Sequence, residues 1–298
     1  MTIRKMISRG ISALAGNAGF GIFPGAAAVD FGEIVIDGVP EKPDGATRIM
    51  SFNLRCANDP EGSIRNRSKI VKAIIDAYAP DSFGVQEANP MWLARLDPAF
   101  SDRYERVGQP RDKTGIFSEY SAVFYLRDKF NLLSEGTIWL SETPEVRYTK
   151  SFDSACYRVA TWAVLENRET GRKYTHINTH LDHILEKTRV GQTKVLIEKF
   201  KELEKDGTVI CTGDFNTYTD GEVYAEMCKA ADDVKLTATN TDSGITFHDY
   251  GRIKDGSSPI DFIFTTKGVR AETYKIIRNT AKNMYPSDHY PITADLIL

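Results

Sequence analysis

Asn53, Glu87, Asp214, Asn216 and Asp288 all offer hard oxygen donors, and each stands at the edge of a short apolar run. Ile49-Met50-Ser51-Phe52 leads into Asn53, Phe83-Gly84-Val85 into Gln86-Glu87, and Val209-Ile210-Cys211 into Gly213-Asp214-Phe215-Asn216. One carboxylate in such a place is ordinarily a cap or a solvated turn residue. The set carries more weight, because ligands of α/β sheets collect at strand ends, where loops converge on a rigid scaffold. No thiolate is grouped with these oxygens. Such donors suit Mg²⁺, with Mn²⁺ as its substitute, since Mg²⁺ takes one or two carboxylates, keeps several waters and shares substrate phosphate oxygens.

The segment Tyr285-Pro286-Ser287-Asp288-His289-Tyr290-Pro291 places an acid and an imidazole together just before the last apolar run, and Asp261 is embedded in Ile260-Asp261-Phe262. A carboxylate that accepts from one ring nitrogen fixes the tautomer and frees the other nitrogen to take a proton from water. Asp261 and His289 are therefore candidates for a water-activating pair. His176, His180 and His183 are spaced four and three apart, which would suit zinc on a helix face. The stretch 173–178 alternates like a strand, however, so that geometry would be lost, and His176 reads as structural or exposed.

The elements that must position these groups are mostly strands, expected at 48–53, 82–86, 121–126, 159–165, 173–178, 208–212, 260–264 and 292–297. Helical spacing is clear for Ile70, Val71, Ile74, Ile75 and Tyr78, and again for Leu196, Phe200 and Leu203. Arg65, Arg67 and Lys69 read as the solvated face of the first helix. Strands come in runs between helices, so strict βαβ alternation fails and a layered α/β sandwich of mixed sheets fits better. Turn formers at Pro40, Pro43, Asp44 and Gly45 divide residues 1–45, a leader or poorly ordered extension, from a catalytic domain at 46–298.

Taken together, these motifs resemble the endonuclease/exonuclease/phosphatase superfamily, which includes DNase I, from about Thr47 to Leu298. Gly213-Asp214-Phe215-Asn216 followed by Ser287-Asp288-His289 is the specific part. Ser51-Phe52-Asn53-Leu54-Arg55, Trp139-Leu140-Ser141-Glu142-Thr143-Pro144 and Asn178-Thr179-His180-Leu181-Asp182-His183 look like a single-domain microbial branch. The resemblance implies a four-layered DNase I-like α/β sandwich, two facing mixed β-sheets flanked by helices, with the site at one end. It implies Glu87 as principal metal ligand with Asn53 and Asp288 nearby, Asp214 and Asn216 positioning water and phosphate, His180 donating to a phosphate oxygen, and Asp261 orienting His289. In the second rank, Glu119 and Tyr125 lie in a segment resembling one that supports His180, and Arg158 is a phosphate contact.

The implied reaction is hydrolysis of a phosphodiester or phosphomonoester. A nuclease is the alternative within enzymes, and an inactive binding relative is the alternative outside them. The chain has 298 residues, 41% of them hydrophobic, and a formal charge of -3, so bulk charge does not indicate a nucleic-acid partner. Arg4, Lys5 and Arg9 before the run 11–23 imitate a signal peptide, but Gly16, Asn17, Gly19, Gly21 and Pro24 interrupt it. A cytoplasmic protein is expected, with export the alternative. Cys56, Cys156, Cys211 and Cys228 form no CxxC pair and read as free thiols.

Overall fold

In the computed structural model, which describes residues 27–298 apart from Asp255 and Ser257, the strands sort their side chains by parity. In β1 (Thr47–Asn53), Ile49 packs between two sheets with Ile292, Ala294 and Leu296, while Met50 and Phe52 face outward. The outward pair meets Ile70, Val71 and Ile74 of α1 (Ile64–Tyr78) and Trp92 and Leu96 from a later helix. The chain continues through β2 (Ser82–Ala88), α2 (Pro90–Phe100), β3 (Tyr104–Val107), β4 (Tyr120–Leu126), β5 (Phe130–Trp139), β6 (Val159–Asn167) and β7 (Lys173–His180). It then forms α3 (Glu186–Glu204), β8 (Thr208–Asp214), α4 (Glu222–Ala230), β9 (Asp232–Asp233), α5 (Val234–Thr237), β10 (Asn240–Thr241), β11 (Asp261–Thr265), β12 (Arg270–Ile276) and β13 (Ile292–Ile297).

One sheet has the order β10-β12-β13-β1-β2-β4-β3 and the other β5-β6-β7-β8-β11-β9. Both are mixed, since β1 and β2 run parallel, as do β7 and β8, while most other neighbours are antiparallel. Helices α3 and α4 cover the outer face of the second sheet through Leu196, Phe200, Val223 and Met227, which meet Val209, Cys211, Phe262 and Phe264. Helix, sheet, sheet and helix make four layers, as expected. All four cysteines are free thiols.

The expected strands and both helices are present. Helix α2 escapes helical spacing because it is short and carries Pro90 and Pro98, yet Asn89 caps it by accepting from Met91 and Trp92 and Pro90 sits in its first turn, where no N–H is needed. The sheets come close enough that a Cβ on Gly84 would lie 2.3 Å from the Asn178 carboxamide and 2.4 Å from the Thr212 hydroxyl. Polar side chains fill this narrow gap. Asn178 donates to the carbonyls of Val85 and Ala122 and accepts from Gln86, and His176 bonds Ser82 through Nδ1 and Thr212 through Nε2. Burial pushes His176 down to about 3, so it is a neutral structural residue with both nitrogens used.

Arg67 corrects the reading of the first helix's charged face: Arg65 and Lys69 are exposed, but Arg67 is fully buried. Its guanidinium donates to the carbonyls of Leu54, Arg55, Ala57, Gly62 and Pro286 and lies over the Trp92 ring. The signal-like run at 11–23 falls outside the described residues; within them no helix is long and apolar enough to cross a membrane.

Residues 27–45 form a strap that meets α1 at its start and β1 near its end. Asn66 accepts from the Val29 N–H and donates to the Ala27 carbonyl, Phe31 is buried, and the Pro40 carbonyl accepts from Arg48. Burying an aromatic side chain contributes ~1.5–3 kcal/mol. Deleting residues 1–44 is therefore expected to lower the melting temperature by about 5 °C or more relative to deleting 1–26. No strap residue lies among the site groups, so both truncations are expected to stay active. Equal circular-dichroism melts would show that the strap adds nothing to the fold.

Candidate active site

Strand register assembles the polar groups. His180 closes β7 opposite Asp214 of β8, and Asp214 in turn pairs with Asp261 at the start of β11. These three share the inward parity of Ile210 and Ile263, so they point into the gap between the sheets. From the opposite sheet come Asn53, at the end of β1, and Glu87, which follows Gln86 in β2. Register shifts between Val85 and Ala88, and Glu87 takes a φ of 58°. A non-glycine residue held in that region is disfavoured by itself, and here the bulge re-aims the carboxylate.

Asn53 joins the two sheets, its amide donating to Glu87 Oε1 at 3.1 Å and Asp214 Oδ2 at 2.9 Å. The second Glu87 oxygen accepts from the Cys56 N–H at 2.9 Å. Asp214 Oδ1 accepts from the Asn216 N–H at 2.9 Å. The Asn216 carboxamide, carried at a φ of 49°, lies 3.1 Å from His180 Nε2. His289 Nδ1 is 2.9 Å from Asp261 Oδ2, and its Nε2 faces Asp214 Oδ2 at 3.8 Å. Asp288 lies 3.8 Å from Arg55 Nε. All the first-rank residues therefore meet in one place.

Their charges pull apart in a useful way. Burial opposes charge on His289, but Asp261, Asp214 and Asp288 outweigh it and push it up to about 10. Burial and Asp261 push Asp214 up to about 7. His180 is driven well below its ordinary value by burial and by Arg158. Burial also disfavours ionised Glu87, yet the Arg55 charge and the Cys56 N–H prevail and hold it below the carboxylate range. Asp288 is raised by burial and by the neighbouring Glu87 charge. Asp214 thus lies between a neutral imidazole and a charged one.

A metal finds two sets of donors. Asp214, Asp261 and His289 present atoms within 4.8 Å of one another, but His289 and Asp261 already satisfy each other. Glu87 and Asp288 are close enough to repel, and Asn53 Oδ1 accepts only the Arg55 N–H among the described residues. That second set, buried oxygens with excess negative charge, is the better fit for a hard cation.

The second-rank residues divide. Glu119 is held by Arg111 through two bonds of 2.6 and 2.7 Å, beside Arg158 and His180. Arg158 reaches His183 Nδ1 at 3.1 Å. Tyr125 is not brought to the site: it pairs with Ser82 at the opposite end of β4 and donates to Glu105 at 2.5 Å. It stands six positions along the chain from Glu119, roughly 20 Å in extended backbone. Residues not anticipated are Arg55, whose guanidinium neutralises Glu87, Asp288 and Asp59, and Arg111. Asp182 was another, ordering the loop before Arg158 by accepting from Ser154, Ala155 and Cys156. Only the Asn178-to-His183 motif hinted at it.

Two facing mixed sheets flanked by helices, with such a cluster at one end, make the DNase I-like fold. The model of the Endonuclease/Exonuclease/phosphatase family matches residues 50–289, and the chain belongs to that family. An endonuclease/exonuclease/phosphatase from Bacteroides vulgatus is 32% identical, with 84% of this chain and 98% of that one covered and a TM-score of 0.78. A mannosyl-6-phosphatase of Bacteroides thetaiotaomicron is 29% identical, covers 85% of this chain and 100% of its own, and has a TM-score of 0.77. The human Nocturnin catalytic domain, 20% identical over 86% and 96% at a TM-score of 0.66, shares the fold. No curated protein matches.

Proposed function

We propose that this chain hydrolyses a phosphomonoester or phosphodiester with the help of Mg²⁺, for which Mn²⁺ substitutes. The carrying observation is the junction at Asn53, whose amide ties the Glu87 carboxylate of one sheet to the Asp214 carboxylate of the other. Glu87, Asp288 and Asn53 would hold the metal. When bound, it supplies Lewis-acid polarisation of a phosphoryl oxygen and neutralises charge that builds on it.

The chain's own residues do the rest. Asp214 and Asn216 position the attacking water, and neutral His180 retains one N–H to donate to a phosphoryl oxygen. The water oxygen forms the new bond to phosphorus as the bond from phosphorus to the ester oxygen breaks; one of the water's protons passes to the Asp214 carboxylate beside the charged His289, and the departing ester oxygen takes a proton from solvent water. Asp261 accepts from His289 Nδ1, so Nε2 stays aimed at the reacting groups. Arg158 contributes charge to the phosphate side. The mannosyl-6-phosphatase relative supports a small phosphate ester as substrate, and the chain's formal charge of -3 gives no general pull on a nucleic-acid strand.

Chelation is expected to abolish turnover of a panel of sugar phosphates, inositol phosphates, phospholipid headgroups, bis-aryl phosphates, RNA and DNA. Mg²⁺ or Mn²⁺ should restore it, and Zn²⁺ alone should not. Full activity after exhaustive chelation, with metal analysis confirming removal, would sink the proposal.

A further inference from the structure

Beside His180 lies a cavity of about 10 Å³, walled by Arg111, Glu119, Tyr120, Arg158 and Val159. That is the room taken by one water-sized oxygen. Its walls carry two guanidiniums against one carboxylate. Arg158 is 4% exposed, and among the described residues its Nε and Nη1 have no hydrogen-bond partner; the same is true of His180 Nδ1 and of Arg111 Nε, which faces Asp112 Oδ2 only at 3.6 Å. Buried donors without acceptors are costly, and four of them around one small space call for an anionic oxygen.

Within this wall Glu119 balances only one of the two guanidiniums. Both its oxygens are taken by Nη1 and Nη2 of Arg111, at 2.6 and 2.7 Å, which fixes the guanidinium plane and leaves Nε–H as Arg111's remaining donor. The Arg111 carbonyl accepts from Trp139 Nε1 at 2.8 Å and its N–H bonds the Glu119 carbonyl at 3.0 Å, so the backbone behind it is held as well. Arg158 is fixed from the other side through Nη2 and His183.

Resting on the phosphoesterase reading above, we propose that this slot receives one terminal oxygen of a phosphomonoester and that Arg111 is a specificity-determining residue. A monoester carries two negative charges and three terminal oxygens, whereas a diester carries one charge and two. The slot has donors for an additional charged oxygen, and none of them can bond the carbon that an ester substituent would add. Replacing that oxygen by a methoxy group would remove the charge and weaken the acceptor that these buried donors face, a situation in which a polar site discriminates strongly.

The test compares 4-nitrophenyl phosphate with methyl 4-nitrophenyl phosphate, which share a leaving group and differ by one methyl. In the Mg²⁺-loaded protein, kcat/KM is expected to favour the monoester, and Arg111→Gln should reduce that preference at least tenfold. Arg111→Lys retains a charge for Glu119 if the Gln variant fails to fold, but it lacks the planar fork and should lower the preference too. An unchanged ratio in a folded variant, or a wild-type preference for the methyl diester, would overturn the slot. Calorimetric titration with inorganic phosphate separates this failure from that of the phosphoesterase reading. If neither ester turns over, phosphate binding that weakens at least tenfold in Arg111→Gln or Arg111→Lys keeps the slot. No phosphate binding to the wild type rejects it.

Discussion

His289→Ala is expected to lower kcat/KM by at least ~10²-fold, the lower end for losing an acid or base, while the melting temperature changes little. Asp261→Asn should move in the same direction, because Nδ1 of His289 lies 2.9 Å from the Asp261 carboxylate, the one side-chain partner that orients the ring among the described residues. The informative variant is the double. Residues that act as one unit lose activity once, so Asp261→Asn/His289→Ala should be scarcely worse than the worse single variant. Asp214 faces the other ring nitrogen at 3.8 Å and pairs with Asp261 across the sheet, which gives independent action a physical basis to test against. Losses that multiply in kcat/KM, with thermal stability intact, would reject the pair while leaving the metal ligands untouched.

Arg67→Met should produce the largest loss of stability, on the order of 3–5 kcal/mol, as when one partner of a buried charged network is removed. Met retains much of the volume over the Trp92 ring but none of the donors to five carbonyls. The consequence should reach the site. Leu54, Arg55 and Ala57 belong to the loop that follows Asn53, and Pro286 precedes Ser287, Asp288 and His289. One guanidinium therefore holds together the chain segments that carry a metal-ligand candidate from each side. Urea unfolding should show a lower midpoint with a similar slope. Hydrogen exchange should show the two loops opening more readily than β8. A midpoint within ~0.5 kcal/mol of wild type, the range of ordinary surface substitutions, would remove Arg67 from this role.

The site was legible in the sequence where chemistry and strand parity coincide. Asn53, His180, Asp214 and Asp261 each end or begin a strand on its inward face, so an apolar run and its last polar residue were enough to mark them. A layered sandwich of mixed sheets was readable because strands come in runs between helices, while the number of layers, four, came from the family resemblance; in the structure both faces of the central strands are apolar and both are covered. The short helix that contains Pro90 and Pro98 gave no such signal.

Only the tertiary structure decided what neutralises what. Arg67 was read with Arg65 and Lys69 as solvated, yet it stands two residues from each and three and four before Ile70 and Val71, on the face that α1 buries; the loop after β1 and the approach to β13 close over it and make it a buried clamp. Glu119 and Tyr125 are six residues apart on one segment, yet an extended strand carries them to opposite ends of the sheet, and Arg111 rather than His180 takes both oxygens of Glu119. The sequence by itself determined which groups could do chemistry and on which face each would stand, because strand alternation is local. Long-range ion pairs and the volume of a cavity depend on how loops from distant strands pack, and no local rule fixes them.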